Sequence, residues 1–176
     1  KSAAFEGCDA LKAILVTETN PLYLNDKNGI LYKRHDDQVL TELLFYPKGL
    51  ARDLGGVVNN LPDTLITIGG SAFSANKYLV SVTIPKTVTT IDVSAFANCE
   101  NLTTVLFSDD CAGLTIGNNA FMNCVSLHNI VLPAATTSIG VSAFENCTFT
   151  GFTVPAGVKS ISYAAFKNCA QLAEIR

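Results

Sequence analysis

Charge is scarce in this chain. Asp, Glu, Lys and Arg supply only 15% of its 176 residues, and there are two histidines. A formal charge of −3 and an isoelectric point near 5.3 argue against a nucleic-acid partner, whose usual footprint is a basic face. Hydrophobic residues reach 48%, yet no run approaches the ~18 uninterrupted apolar residues of a membrane span, so no transmembrane segment is expected. High apolarity without a span suits a structure in which most residues face an interior. G-x-S-x-G, G-x-G-x-x-G, P-loop and H-E-x-x-H motifs are all missing, which leaves no signature of hydrolase, dinucleotide, phosphoryl-transfer or zinc-protease chemistry. No charged-then-apolar leader opens the chain at Lys1. The opening "KSAAFEGC" falls inside a phrase that returns later, and reads as the start of a trimmed or mature fragment.

What the chain does contain is period. Ala-Phe recurs with its ring at Phe5, Phe73, Phe96, Phe121, Phe144 and Phe166, the last five separated by 23, 25, 23 and 22 residues. Three places after each ring stands Cys8, Asn76, Cys99, Cys124, Cys147 or Cys169. Three further on come Leu11, Leu79, Leu102, Leu127 and Leu172; the fifth unit is a residue short and offers Phe149 or Thr150. Alternating pairs follow at Ile14/Val16, Val82/Ile84, Val105/Phe107, Ile130/Leu132 and Phe152/Val154, three of them closed by Pro85, Pro133 and Pro155. The longest unit carries an insertion of two residues around Asp109 and Asp110.

Each unit reads in three parts. "LVSVTIP" is a strand of period two, with Val82 and Ile84 inward and Ser81 and Thr83 outward, stopped by a proline that cannot donate to a ladder. "TVTTI" crosses back and buries Val88 and Ile91. "SAFANC" is expected to form one helical or 3₁₀ turn in which Phe96 plugs the interior and Asn98 ends the turn in a left-handed conformation, a choice repeated at Asn123, Asn146 and Asn168. A unit of about 23 residues cannot bury its own apolar side, whereas stacked units can, so the strands should form a parallel sheet over an internal column of rings.

The five repeat cysteines share one position with Asn76, a site wanting a small buried group in weak polar contact with the adjoining turn. Their spacing lacks the C-x₂-C pairs of zinc sites, and one Cys per unit offers no natural disulfide pairing. They are read as buried, reduced, structural thiols, with no metal or cofactor. Cys111, inside the insertion, is expected to be the exposed and reactive one.

The phrase Ala-Phe-x-x-Cys-x-x-Leu-x-x-Val-x-Ile-Pro-x-x-Val-x-x-Ile resembles the BspA-like, or treponemal, class of leucine-rich repeat. The match runs through 61–176 and returns at 1–16. The resemblance implies an α/β solenoid of ~23-residue units with short helical turns and its parallel sheet on a concave side. It also implies a secreted or cell-surface bacterial protein that binds a protein or other macromolecule of a host or microbial surface. Residues 17–60 depart from the repeat. There Asn28-Gly29 between apolar runs signals a hairpin, "ILYKR" and "TELLFYP" read as strands, and Pro47 to Gly56 reads as a loop back to the array. The whole chain is taken as one leucine-rich repeat domain: a partial repeat at 1–16, a β-rich insertion at 17–60 and regular repeats at 61–176.

Candidates for chemistry are few. His35-Asp36-Asp37 could bind a metal or polarise water, but adjacent turn side chains point apart, and solvated turn residues are the simpler reading. His128 reads as a surface histidine. "DKNG" at 26–29 lacks the later Glu of a calcium loop and reads as turn chemistry. The informative positions are the outward strand residues Ser81, Thr83, Thr104, Leu106, Asn129, Val131, Gly151 and Thr153, expected side by side on one sheet face about 4.8 Å apart. That face is either a solvated surface with scattered apolar residues or a shallow contact surface for a macromolecule. A structural spacer or assembly segment of a longer surface protein is the alternative use of such an array.

Overall fold

A computed structural model describes residues 2–35, 39–108, 111 and 113–176. The insertion residues Asp109 and Asp110, and Asp36 and Asp37 of the histidine cluster, lie outside the described residues.

The strands are β1 Tyr23–Asn25, β2 Leu31–Lys33, β3 Glu42–Phe45, β4 Val57–Val58, β5 Thr67–Ile68, β6 Ser81–Ile84, β7 Thr90–Ile91, β8 Thr104–Phe107, β9 Leu114–Ile116, β10 Thr136–Ile139, β11 Gly151–Phe152 and β12 Glu174–Ile175. They wind a β-solenoid of six turns (39–62, 63–85, 86–108, 113–133, 134–155 and 156–176), preceded by a half-turn at 2–16. Pairing between turns is parallel, as the repeat requires.

Two lines of strands run along the solenoid, and the larger one is not the expected one. The "TVTTI" pieces, read as crossings, carry the seven-stranded sheet β1-β2-β3-β5-β7-β9-β10. In it Leu43, Ile68, Ile91, Ile116 and Ile139 pair in register, all 0–1% exposed, and an isolated bridge adds Ile161. The "LVSVTIP" line is split into β4-β6-β8 and β11-β12. No ladder forms at 129–132, in the turn that follows the two-residue lengthening. Alternation explains why both lines can be strands: Thr-Ile places one β-branched residue inward and Val-x-Ile places two.

The Ala-Phe turn at Phe5 is a 3₁₀ turn as expected, whereas from Phe73 onward these turns are not helical. Each contains two left-handed residues, as at Ser94 (φ 57°) and Asn98 (φ 60°). Its alternate N–H groups donate to the next turn instead of back along the chain, as in Phe96 N to Ala120 O at 2.8 Å and Asn98 N to Met122 O at 2.8 Å. A helix needs those donors for its own carbonyls, so stacking and helix formation compete, and stacking wins. The two helical pieces, a 3₁₀ turn at Ser2–Phe5 and α1 at Lys48–Asp53, stand in the half-turn and first turn, where this ladder has only begun with Tyr46 N to Ala72 O at 2.9 Å.

The ring column forms as expected and is longer. Tyr46, Phe73, Phe96, Phe121, Phe144 and Phe166 stack with centroids 4.9, 4.9, 5.1, 5.5 and 5.5 Å apart. Tyr46 shows that 39–62 is itself a turn: β3 and β4 occupy the two strand lines, Tyr46 takes the Phe position, and α1 fills what the sequence reads as a loop. In the shortened unit Phe149 is fully buried and takes the Leu position, while Thr150 is exposed.

Hairpin β1–β2 closes one end of the large sheet and pairs antiparallel through β2 with β3. Its turn uses Asp26, whose Oδ1 accepts from the backbone N–H of Asn28 and Ile30 at 2.9 Å each. Gly29 (φ +77°) follows because a Cβ there would lie 2.3 Å from that of Ala13.

Candidate binding surface

Of the expected contact residues, the structure brings four together. β6 and β8 pair Ser81 with Thr104 and Thr83 with Leu106, all directed away from the buried Val82, Ile84 and Val105. Leu106 is 55% exposed. Asn129 and Val131 are exposed, Val131 at 75%, but stand on irregular backbone rather than in the sheet. Gly151 starts β11 and pairs with Glu174, and the exposed Thr153 follows that strand, so these two belong to a separate small sheet. The single continuous face expected for all eight is therefore broken after β8, where the inter-turn hydrogen bonds lapse.

A second face goes unnoticed in the sequence. Glu42, Thr67, Thr90 and Thr115 succeed one another in register across the large sheet on the side opposite its buried isoleucines. Thr115 Oγ1 lies 3.5 Å from Thr137 Oγ1, and Lys33 Nζ reaches Glu42 Oε2 at 3.2 Å. Beside Glu42 this face opens into an apolar groove of about 760 Å³, with Phe5, Ile14, Leu22, Tyr23 and Leu44 among its walls. The signal for this face was the Thr-Ile alternation in "TLITI", "TTI" and "LTI".

Along the interior corner, the repeat positions form two hydrogen-bonded ladders. Cys99 Sγ donates to Phe73 O (3.1 Å), Cys124 to Phe96 O (3.2 Å), Cys147 to Phe121 O (3.3 Å) and Cys169 to Phe144 O (3.1 Å). Each thiol thus ties its turn to the carbonyl of the turn before. Burial pushes the Cys99 thiol up to about 12 and raises Cys124 and Cys147 likewise. All six cysteines are free. Two expectations fail. Cys8 is exposed, because its half-turn stands at the end of the described stack and no earlier carbonyl receives its thiol. Cys111 is buried, 7% exposed, with Sγ 3.4 Å from Ser108 O.

The second ladder is of amides. Asn123 Nδ2 donates to Asn98 Oδ1 (2.7 Å), Asn146 to Asn123 (2.6 Å) and Asn168 to Asn146 (2.9 Å). At the same position one turn earlier stands Ala75, also left-handed at φ 53°. Beside it Lys48 is 5% exposed and reaches Asp9 Oδ1 only at 3.4 Å. Hydrogen bonding from Lys77, with help from Lys48, holds the Asp9 carboxyl below the usual range.

Neither histidine sits in a cluster suited to acid–base chemistry among the described residues. His35 is exposed, and His128 Nδ1 lies 2.7 Å from Thr148 Oγ1. Among the described residues no three His, Cys, Asp or Glu side chains converge, and no helix is long and apolar enough to cross a membrane. The hydroxyls of Tyr32 and Tyr46 are buried without a partner among the described residues, and burial pushes Tyr46 up to about 12.

The comparisons agree with this geometry. The BspA type leucine rich repeat region matches residues 58–173 in six copies. A leucine rich cell surface protein of Faecalibacterium prausnitzii is 29% identical with a TM-score of 0.80, over 99% of this chain and 44% of that one. The leucine rich repeat protein of T. pallidum is 27% identical with a TM-score of 0.69, over 91% of this chain and 71% of that one. A leucine-rich repeat protein of Bacteroides ovatus is 26% identical with a TM-score of 0.63, over 91% and 41%. This chain thus spans less than half of two of these three relatives. No curated protein matches the sequence.

Proposed function

Because the chain belongs to the BspA type leucine rich repeat family, we propose that it is a non-enzymatic interaction module of a secreted or cell-surface bacterial protein. It holds a macromolecular partner, protein or other surface polymer, on the outward strand face of Ser81, Thr83, Thr104 and Leu106, with Asn129 and Val131, and then Gly151 and Thr153 of the small sheet, as further contacts beyond the break. The observation that carries this reading is the register of β6 on β8, which sets exposed Leu106 beside Thr83 on a rigid ladder. A pre-formed face loses little entropy on binding. Leu106 and Val131 provide the desolvated contacts that such a surface needs, and the short polar residues between them fit closely against a partner. The description of the F. prausnitzii relative as a cell surface protein supports the location.

The test is a binding screen of immobilised chain against purified mucosal and matrix proteins and surface glycans, repeated with Thr83→Lys/Thr104→Lys/Asn129→Lys. The expected result is at least tenfold weaker capture by the triple variant at an unchanged melting temperature. Equal capture by both chains would remove the face from the mechanism. A spacer or assembly role within a longer surface protein is the second reading. Concentration-dependent light scattering by the isolated chain would favour that use.

A further inference from the structure

The amide ladder stops at a hole. At Asn98 the side-chain oxygen is used by Asn123, but among the described residues no protein acceptor faces its Nδ2 donors. Continuing the ladder would need an asparagine at position 75, and the chain has Ala75 there with the same left-handed backbone. Beside this position opens a pocket of about 220 Å³ bounded by Ala75, Asn98, Ser71, Ser74 and Lys48, with Phe5 and Phe45 as apolar walls. This space holds several atoms more than one water, whose share of liquid volume is about 30 Å³.

The lining is built for a particular charge. The Lys48 ammonium carries three donors, yet its one carboxylate neighbour among the described residues, Asp9 Oδ1, stands at 3.4 Å, and the side chain is nine-tenths buried. An under-coordinated cation away from water gains most from an anionic acceptor. The Asn98 amide offers a second, neutral donor at the place where the ladder's own oxygen would sit. Glu6 is the one acidic residue on the lining, and it lies on the exposed rim.

We infer that the gap in the amide ladder at Ala75 is a binding site for a single carboxylate, taken from a partner polypeptide and held between Lys48 and Asn98. One carboxylate oxygen replaces the absent asparagine oxygen on Asn98 Nδ2, and the other completes the coordination of Lys48. The carboxylate comes from a chain terminus or from an acidic side chain. This site stands apart from the strand face, so either can fail without the other.

The experiment is a titration of isotope-labelled chain at constant ionic strength, following the Asn98 side-chain amide and Lys48 ammonium signals by NMR. Acetate should move both signals saturably, and the isosteric neutral acetamide should bind at least tenfold more weakly. Two short peptides separate the sources: one with a free C-terminal carboxylate and no acidic side chain, the other C-terminally amidated with one Asp. Whichever binds more tightly names the source. Ala75→Asn should complete the ladder, take up the Asn98 Nδ2 donor and weaken acetate at least tenfold while the chain melts no lower, since asparagine accepts left-handed backbone. Lys48→Met should also lose binding, and Glu6→Gln should strengthen it severalfold. Asn98 signals unmoved by acetate and both peptides, equal binding of acetamide, or full binding by Ala75→Asn would each overturn the assignment.

Discussion

Truncating one ring in the middle of the column tests the stacking directly. Phe121 is fully buried, with Phe96 at 5.1 Å and Phe144 at 5.5 Å, near-parallel to both at 3° and 9°. Phe121→Ala removes the transfer free energy of the ring and leaves a cavity that neighbouring turns cannot close, because their spacing is fixed by the β7-β9-β10 ladder on one side and by corner bonds such as Phe96 N to Ala120 O and Phe121 N to Ala143 O on another. Such truncations cost about 3–5 kcal/mol. Ring pairs contribute roughly 0.5–1.5 kcal/mol beyond area, and two are lost here, so we expect the upper part of the range, about 4–5 kcal/mol. For a chain of this size each kcal/mol moves the melting temperature by about 2–4 °C, so the variant should melt roughly 10–20 °C lower by calorimetry. Val131→Ala, at a residue 75% exposed, is the control and should stay within about 0.5 kcal/mol. A loss under about 2 kcal/mol for Phe121→Ala would refute the idea that successive turns share one continuous core.

Three further outcomes follow from the ladders. Asn123→Ala should cost about 2–3 kcal/mol in urea unfolding, from left-handed strain at φ 61° plus two side-chain hydrogen bonds, and Asn123→Gly should recover the strain portion. Thiol labelling of the native chain should find Cys8 fast and Cys99, Cys124 and Cys147 protected until unfolding, since these three are buried and their thiolates disfavoured. The same raised thiols make stability fall with alkali. Above pH about 9 the unfolded chain releases thiol protons that the native chain keeps, so the unfolded state binds fewer protons and unfolding becomes easier as pH rises toward 12, which pH-dependent melting would record. A triple Cys99→Ala/Cys124→Ala/Cys147→Ala chain should flatten that alkaline limb.

Much of this was legible in advance, for reasons particular residues make plain. Phe96, Phe121 and Phe144 announce a column because a period of about 23 places one ring per turn, and a ring on every turn has nowhere to go except inward. Asn98 and its successors announce a left-handed corner because few other residues tolerate it. Tyr46 was illegible as a member of the column, since 39–62 lacks the Ala-Phe phrase and its helix replaces the tight corner. Cys8 and Cys111 were misjudged because exposure depends on which turn lies beneath a thiol, and sequence position carries no such information. The Ala75 pocket was hidden for a related reason: an alanine in place of asparagine is only a hole when the turns on either side are stacked.

The sequence by itself determined the solenoid, its period and the identity of the buried line on each turn, because these depend on local alternation and on repetition. Only the tertiary structure decided which strand line became the large sheet, where the smaller one breaks, which thiols are covered and where a cation is left short of acceptors. Those outcomes depend on the fit between one turn and the next, and hydrogen-bond register between turns is a property of the stack that no single unit contains.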